Sequence, residues 1–95
     1  MDDALIEIAL AQWGYAGAPF TLIAERENRV YKVTLDTKPV ALRVHRKGLR
    51  STAELISELD WMSMLGDAGL HVPRPMPALN GASHIIVEGT LIDVV

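Results

Sequence analysis

Hydrophobic and polar residues recur with two different spacings along this chain, and the change of spacing separates helices from strands. Near the amino terminus the apolar residues are three and four positions apart, which predicts an amphipathic helix. Asp2 or Asp3 is placed to cap this helix and Gly14 to end it. The same spacing returns after residues 51–54, Ser-Thr-Ala-Glu, which match a capping box, and it predicts a second helix that ends at about Gly66. Its apolar stripe consists of Leu55, Leu59, Met62 and Leu65.

Short runs rich in β-branched and aromatic residues, bounded by turn residues, are typical of strands. The predicted strands are 20–25, 30–35, 39–46, 85–87 and 91–95. The first three are joined by short turns and should form an antiparallel meander, and the last two should form a hairpin. The proline-rich segment 72–77 should be extended, and Asn80 and Gly81 should form a turn. The expected fold is α+β, with a mostly antiparallel sheet of about five strands, one long packed helix and a leading helix.

Length, composition and charge limit the kinds of partner and the location expected for such a domain. With 95 residues and 49% hydrophobic content, the chain predicts one small domain that buries apolar surface against a second domain or subunit. The net charge of −3 argues against binding nucleic acid or an anionic membrane. The acidic start does not match a signal peptide, and no apolar run approaches the roughly 18 residues of a membrane span, so a cytoplasmic protein is expected.

The carboxyl-terminal strand 91–95 is apolar and ends with the chain. An apolar strand of this kind at the edge of a sheet invites pairing with another chain unless it is covered. We therefore expect a fragment of a longer protein, and we expect the fragment to form a homodimer or to precipitate through exposed apolar surface.

The strand 39–46 carries the candidate chemistry. Strand side chains alternate between faces, so one face is apolar and the other presents Ala41, Arg43 and His45. The small Ala41 leaves room for a flat ligand, and Arg43 places a positive charge beside it, which indicates a site for an anionic ligand. Glu58, on the flank of the second helix's stripe, would hold the guanidinium toward a phosphate. The residues alone equally allow two unrelated, solvated charges.

Other candidate sites have weaker patterns. The three histidines, His45, His71 and His84, lack a ligand-like spacing and are expected to be ordinary surface or edge residues, so no metal site is predicted. Basic residues between Arg43 and Arg50 are not interleaved with aromatic residues, so a solvated strand end and loop is favoured over RNA binding. The two tryptophans, Trp13 and Trp61, are expected to be packing residues.

Four short pieces of the sequence, in order, resemble a family. They are Glu27-Asn28-Arg29-Val30-Tyr31, Leu42-Arg43-Val44-His45, Glu58-Leu59-Asp60-Trp61-Met62 and Val72-Pro73-Arg74-Pro75. Together they resemble the amino-terminal lobe of the aminoglycoside phosphotransferase and choline kinase superfamily, which includes homoserine-kinase-like enzymes and has a protein-kinase-like fold. The resemblance covers about residues 18 to 95. Residues 40–43 are also similar to the Val-Ala-Ile-Lys signature of protein kinases, with arginine in place of lysine.

The resemblance implies a function. It implies the ATP-binding lobe of a small-molecule kinase that transfers the γ-phosphoryl group to a hydroxyl of an amino alcohol, aminoglycoside or similar acceptor. By this resemblance Ala41 would lie over the adenine, Arg43 would contact the phosphates, and Glu58 would position Arg43. Asn28 and Arg29 would belong to the turn that covers the phosphates. The chain end near Val94 and Val95 would approach the hinge whose backbone reads the adenine edge.

The resemblance also implies a missing part. The catalytic residues and the ligands of Mg²⁺ would lie in a second lobe after Val95, so the 95-residue chain alone should be inactive. The alternative, from another class, is a non-catalytic binding or dimerisation module that uses an exposed apolar sheet surface and handles no nucleotide.

Overall fold

The described part of the chain folds into two helices and five strands. The computed structural model describes residues 3–25, 28–35, 38–46, 51–71 and 74–95. In chain order the elements are α1 (Asp3–Gln12), β1 (Phe20–Glu25), β2 (Asn28–Thr34), β3 (Pro39–His45), α2 (Thr52–Asp67), β4 (Ile85–Val87) and β5 (Thr90–Val94). The predicted α+β class is therefore confirmed. The parts of the sequence predictions that concern Asp2, Glu27, 47–50 and 72–73 lie outside the described residues.

The sheet has the strand order β1-β2-β3-β5-β4, and each neighbouring pair is antiparallel. The predicted meander and hairpin are both present, but the prediction that 91–95 forms an edge strand is wrong. In the β4–β5 hairpin, β5 pairs with β4 along one edge and with β3 along the other, so β5 lies inside the sheet. The edges are instead β4, with three residues, and β1, whose register shifts between Leu22 and Ala24. Short strands and irregular registers both limit edge-to-edge pairing.

The hydrophobic core lies between α1 and one face of the sheet. Its members are Ile6, Ala9 and Leu10 of α1, Trp13 just after α1, Tyr31, Val33, Val40, Leu42, Val44, Ile92 and Val94 of the sheet, and Ala78. Because the side chains of a strand alternate, the residues between these positions face away from α1. The sheet therefore has an apolar face covered by α1 and a second face that includes Ala41, Arg43 and Asp93.

The two tryptophans have different environments. Trp13 is buried, and its indole Nε1 donates a hydrogen bond of 2.6 Å to the carbonyl of Met76. The packing role predicted for Trp13 is confirmed, and the one predicted for Trp61 is wrong, since Trp61 is 56% exposed. Trp61 follows the buried Leu59 by two residues, so its side chain points about 200° around the helix from Leu59 and away from the buried side.

Helix α2 begins as its sequence predicts. The Ser51 hydroxyl accepts a hydrogen bond from the Glu54 N–H at 3.2 Å, and the Ser51 N–H donates to Glu54 Oε1 at 2.8 Å, so the capping box is formed. Leu55 and Leu59 are buried, which places Glu58 at the border between the packed and the solvent sides. Neither α1 nor α2 is long and apolar enough to cross a membrane, and the described ranges contain no other helix that is.

Candidate functional site

The register between β3 and β5 brings a cation and a carboxylate together. Arg43 is paired with Asp93 across the ladder, and directly opposed residues of antiparallel strands project from the same face. The guanidinium Nε donates to Asp93 Oδ1 at 2.7 Å. The Asp93 side chain is fully buried and that of Arg43 is 16% exposed, so this ion pair is screened little by water.

Helix α2 supplies a second carboxylate to the same guanidinium. Arg43 Nη1 lies 3.0 Å from Glu58 Oε2, and the Glu58 side chain is 29% exposed. The structure thus brings together the strand cation and the helix acid that the sequence singled out. The alternative, in which Arg43 and Glu58 are unrelated solvated charges, is wrong for this geometry.

His45 belongs to the same cluster. Its Nε2 lies 2.5 Å from Asp93 Oδ2, and the residue is only 5% exposed. The prediction of an ordinary surface or edge position is wrong for His45, because the neighbouring β5 covers this end of β3. The Asp93 carboxylate therefore contacts both polar side chains that β3 presents on this face, one through each oxygen.

Sequence reasoning missed Asp93, although a signal was present. Asp93 is the one charged residue in the run 90–95, which is otherwise apolar apart from Thr90. A carboxylate in a buried strand is costly unless a cation or hydrogen-bond donors meet it, so its position called for a partner. The partner could not be read from the sequence, since it lies fifty residues away on a strand whose place in the sheet is a tertiary feature.

The electrostatics keep Arg43 charged. Burial lowers the pKa of the guanidinium, but hydrogen bonds and charge attraction from Asp93, and then from Glu58, outweigh burial and raise the pKa above its ordinary value. One nitrogen remains: Nη2 is buried and has no hydrogen-bond partner among the described residues. The Arg43 guanidinium is thus held through Nε and Nη1, and its Nη2 has no acceptor among the described residues.

Ala41 lies two residues before Arg43 on the same face of β3, and it is half-buried. Its backbone N–H and C=O both bond to Val95, each at 2.9 Å, and the Val94 carbonyl accepts from the Met76 N–H at 2.7 Å. Both backbone groups of Val95 are therefore bonded to Ala41, which fixes the chain end beside β3.

The two residues predicted for the covering turn lie at the start of β2. Asn28 pairs with His45 and Arg29 with Val44. The alternation of the strands therefore places Asn28 on the face of Arg43 and Arg29 on the opposite face, where Val44 packs. Of the two, the structure brings only Asn28 to the side of the cluster.

The acidic residues of this cluster are bonded to a cation. No group of three His, Cys, Asp or Glu side chains within the described part of the chain is arranged to hold a metal ion. Glu58 and Asp93 are the acids beside Arg43, and both face its guanidinium. In this part of the chain both acids are therefore engaged with the guanidinium.

The fold and this site define the amino-terminal lobe of a protein-kinase-like phosphotransferase. The sequence model described as "Phosphotransferase enzyme family" matches residues 20–89, and the chain belongs to that family. The chain is 29% identical over 80 residues to amicoumacin kinase of Bacillus subtilis (strain 168). It is also similar to a solved structure, the microcompartment-associated aminopropanol kinase, with 27% identity, a TM-score of 0.85 and 96% of the chain covered.

These similarities concern a part of each relative. The match spans 84% of this chain but 24% of amicoumacin kinase, and the structural match spans 30% of the aminopropanol kinase chain. Both relatives are named as kinases of small molecules. The family match at residues 20–89 includes Arg43 and Glu58 and ends before Asp93.

Proposed function

We propose that residues 1–95 form the nucleotide-binding lobe of an ATP- and Mg²⁺-dependent kinase. The kinase would transfer the γ-phosphoryl group to a hydroxyl of a small molecule, such as an amino alcohol or an aminoglycoside. Membership of the phosphotransferase family and the similarity to two small-molecule kinases support the proposal. The observation that carries it is the guanidinium of Arg43, which is oriented by two carboxylates and keeps one nitrogen without an acceptor.

The unpartnered nitrogen favours a phosphate ligand. A buried donor without an acceptor costs about 1–3 kcal/mol, and more when the group is charged. A phosphate oxygen at Nη2 would remove that cost and form a charge-assisted hydrogen bond. Because Nη2 is buried, a phosphate would reach it only if neighbouring side chains moved. The other two nitrogens would stay bonded to Asp93 and Glu58 and fix the direction of the third.

The remaining site residues have assigned roles in the proposal. Ala41 would contact the adenine ring, since a methyl group at this position leaves space for a flat base beside the strand. Asn28 and Arg29 would contribute to the turn that covers the phosphates. Asn28 is the better placed of the two, because it shares the face of Arg43.

These residues bind and orient, and they do not perform the chemistry alone. A catalytic base and the ligands for nucleotide-bound Mg²⁺, which neutralises the phosphate charge, would come from another part of the full-length protein. The 95-residue lobe by itself would be inactive. A cytoplasmic location, with access to ATP, is part of the same proposal.

The function is tested with the full-length protein, ATP, Mg²⁺ and a panel of amino alcohols, aminoglycosides and unrelated alcohols. We expect ATP-dependent phosphorylation of a hydroxyl in at least one member, and we expect Arg43→Ala to lose most of it. Arg74→Ala is the matched control, because Arg74 also pairs with a carboxylate, Asp67 at 2.9 Å, but at the exposed end of α2. A full-length protein that neither binds ATP nor consumes it would overturn the proposal.

The second candidate is a dimerisation module, and the exposed apolar side chains of the edge strands favour it. Ile23 on β1 and Ile86 on β4 are 59% and 57% exposed. Light scattering of the 95-residue chain is expected to show dimers or larger species, and Ile86→Lys should reduce them. Met64→Lys, on the exposed side of α2, is the control. Association without any nucleotide affinity in the full-length protein would favour the module, whereas the module alone leaves the buried charge cluster unexplained.

A further inference from the structure

Arg43 has two acidic partners that differ in distance, burial and attachment. Asp93 is the closer, at 2.7 Å against 3.0 Å for Glu58, and it is fully buried whereas Glu58 is 29% exposed. The kinase-like pairing of a strand cation with a helix acid uses only Glu58. The proposed function uses both carboxylates without ranking them, and it gives no role to His45, whose Nε2 contacts Asp93 Oδ2.

We propose that Asp93, held in place by His45, is the main positioning residue for Arg43, and that Glu58 has the smaller part. The inference rests on the proposed function, because it concerns how the same phosphate-binding guanidinium is oriented. Its consequence is that Arg43 keeps its direction when the Glu58 contact is lost or when α2 shifts relative to the sheet.

The first argument is the way each acid is attached. Asp93 and Arg43 are cross-strand neighbours, and the flanking pairs Leu42 with Val94 and Val44 with Ile92 continue the same ladder. The hydrogen bonds of the ladder fix the separation of the two backbones to the strand spacing of about 5 Å. Glu58 instead reaches Arg43 from a separate helix, so any movement of α2 changes its distance directly.

The second argument is the orientation of the carboxylate. The side-chain torsion that turns the carboxylate of an aspartate is broad, so the contacts of the carboxylate decide its orientation. Asp93 is bonded through both oxygens, with Arg43 Nε on Oδ1 and His45 Nε2 on Oδ2. His45 lies two residues from Arg43 on the same strand and is itself buried, so the three side chains hold one another in a single arrangement.

The third argument is dielectric screening. The attraction between opposite charges weakens with access to solvent, and exposed ion pairs contribute little. The Asp93 side chain is fully buried, whereas the Glu58 side chain is 29% exposed, so water reaches the Glu58 contact more readily. Removing the charge of Asp93 should therefore disturb the guanidinium more than removing the charge of Glu58.

The test measures the affinities of the full-length protein for ATP and for adenosine by calorimetry. The ratio of the two reports the phosphate contact, and a merely structural change would alter both affinities together. We expect Asp93→Asn to reduce the preference for ATP by at least about tenfold and Glu58→Gln to reduce it by about threefold, in line with charged hydrogen bonds of different burial. Asp60→Asn, on the exposed side of α2, is the matched control for Glu58→Gln.

A double variant shows whether Asp93 acts through Arg43. If it does, adding Asp93→Asn to Arg43→Gln should leave the ATP preference of Arg43→Gln unchanged within about twofold. A further independent loss in the double variant would overturn the inference, as would a loss in Glu58→Gln as large as that in Arg43→Gln. If Asp93→Asn does not fold, the comparison of Glu58→Gln with Arg43→Gln still tests whether Glu58 has the smaller part in positioning Arg43.

Failure of the inference can be separated from failure of the proposed function. If Arg43→Gln itself leaves the preference for ATP intact, the phosphate site is wrong. If Arg43→Gln abolishes the preference and Glu58→Gln does so equally, the phosphate site stands and only the role given to Asp93 is wrong.

Discussion

Asp93 lies directly across the β3–β5 ladder from Arg43, with its Oδ1 2.7 Å from the guanidinium Nε. The pair is in the interior of the sheet, between strands whose other faces pack in the core. Two charges at such a place are tolerated because each is the other's partner, and they become costly when separated. The pair therefore links the stability of the lobe to the side chain proposed to bind phosphate.

The first prediction concerns stability. Arg43→Met should destabilise the chain by about 3–5 kcal/mol, because it leaves the buried Asp93 without its cation. The double variant Arg43→Met with Asp93→Leu should recover most of the loss, since no buried charge remains. Denaturant unfolding of the same chain measures both. Equal losses in the single and the double variant would mean that the charges are not coupled.

The second prediction concerns the contact between Trp13, just after α1, and Met76. Trp13→Phe removes the indole donor to the Met76 carbonyl and should cost about 1–2 kcal/mol, because a partly buried acceptor loses its partner. Trp61→Phe changes an exposed side chain and should stay within about 0.5 kcal/mol of the parent. Thermal or denaturant unfolding compares them. Identical effects at the two positions would contradict the packing described for Trp13.

The third prediction concerns pH. The pKa of Arg43 is raised above its ordinary value in the folded protein, so its stabilising contribution is complete below the unfolded pKa and is lost only as pH rises through the folded pKa. Both values lie above the range in which proteins are handled. We therefore expect the ATP affinity of the parent protein and that of Arg43→Gln to change with pH in the same way between about pH 7 and about pH 10. An alkaline decline found only with Arg43 present would contradict the retained charge.

The elements were predictable because their signals are local. The capping box at Ser51, the alternation along β3 and the turns between short apolar runs each lie within a few residues of the structure they specify. The alternation also placed Arg43 correctly on the face away from the core. Glu58 could be proposed as its partner from helix periodicity alone.

What the sequence did not predict depends on strand order. The position of β5 between β3 and β4 follows from packing of the whole sheet, and it alone explains why Asp93 meets Arg43 and why His45 is buried. Trp61 was assigned wrongly for a related reason, since an aromatic residue on the flank of an apolar stripe gains burial only if a neighbouring element covers it. These errors concern contacts between distant segments.

The most direct measurement is the preference of the full-length protein for ATP over adenosine, compared between Arg43→Gln and the matched Arg74→Gln. Asp67, the partner of Arg74, lies roughly 13 Å along α2 from Glu58, so the control removes an arginine and an ion pair away from the site. Arg43→Gln should lower ATP affinity at least about tenfold and leave adenosine affinity unchanged, while Arg74→Gln changes neither. Undiminished ATP affinity in Arg43→Gln would contradict the assignment of this guanidinium to the phosphates.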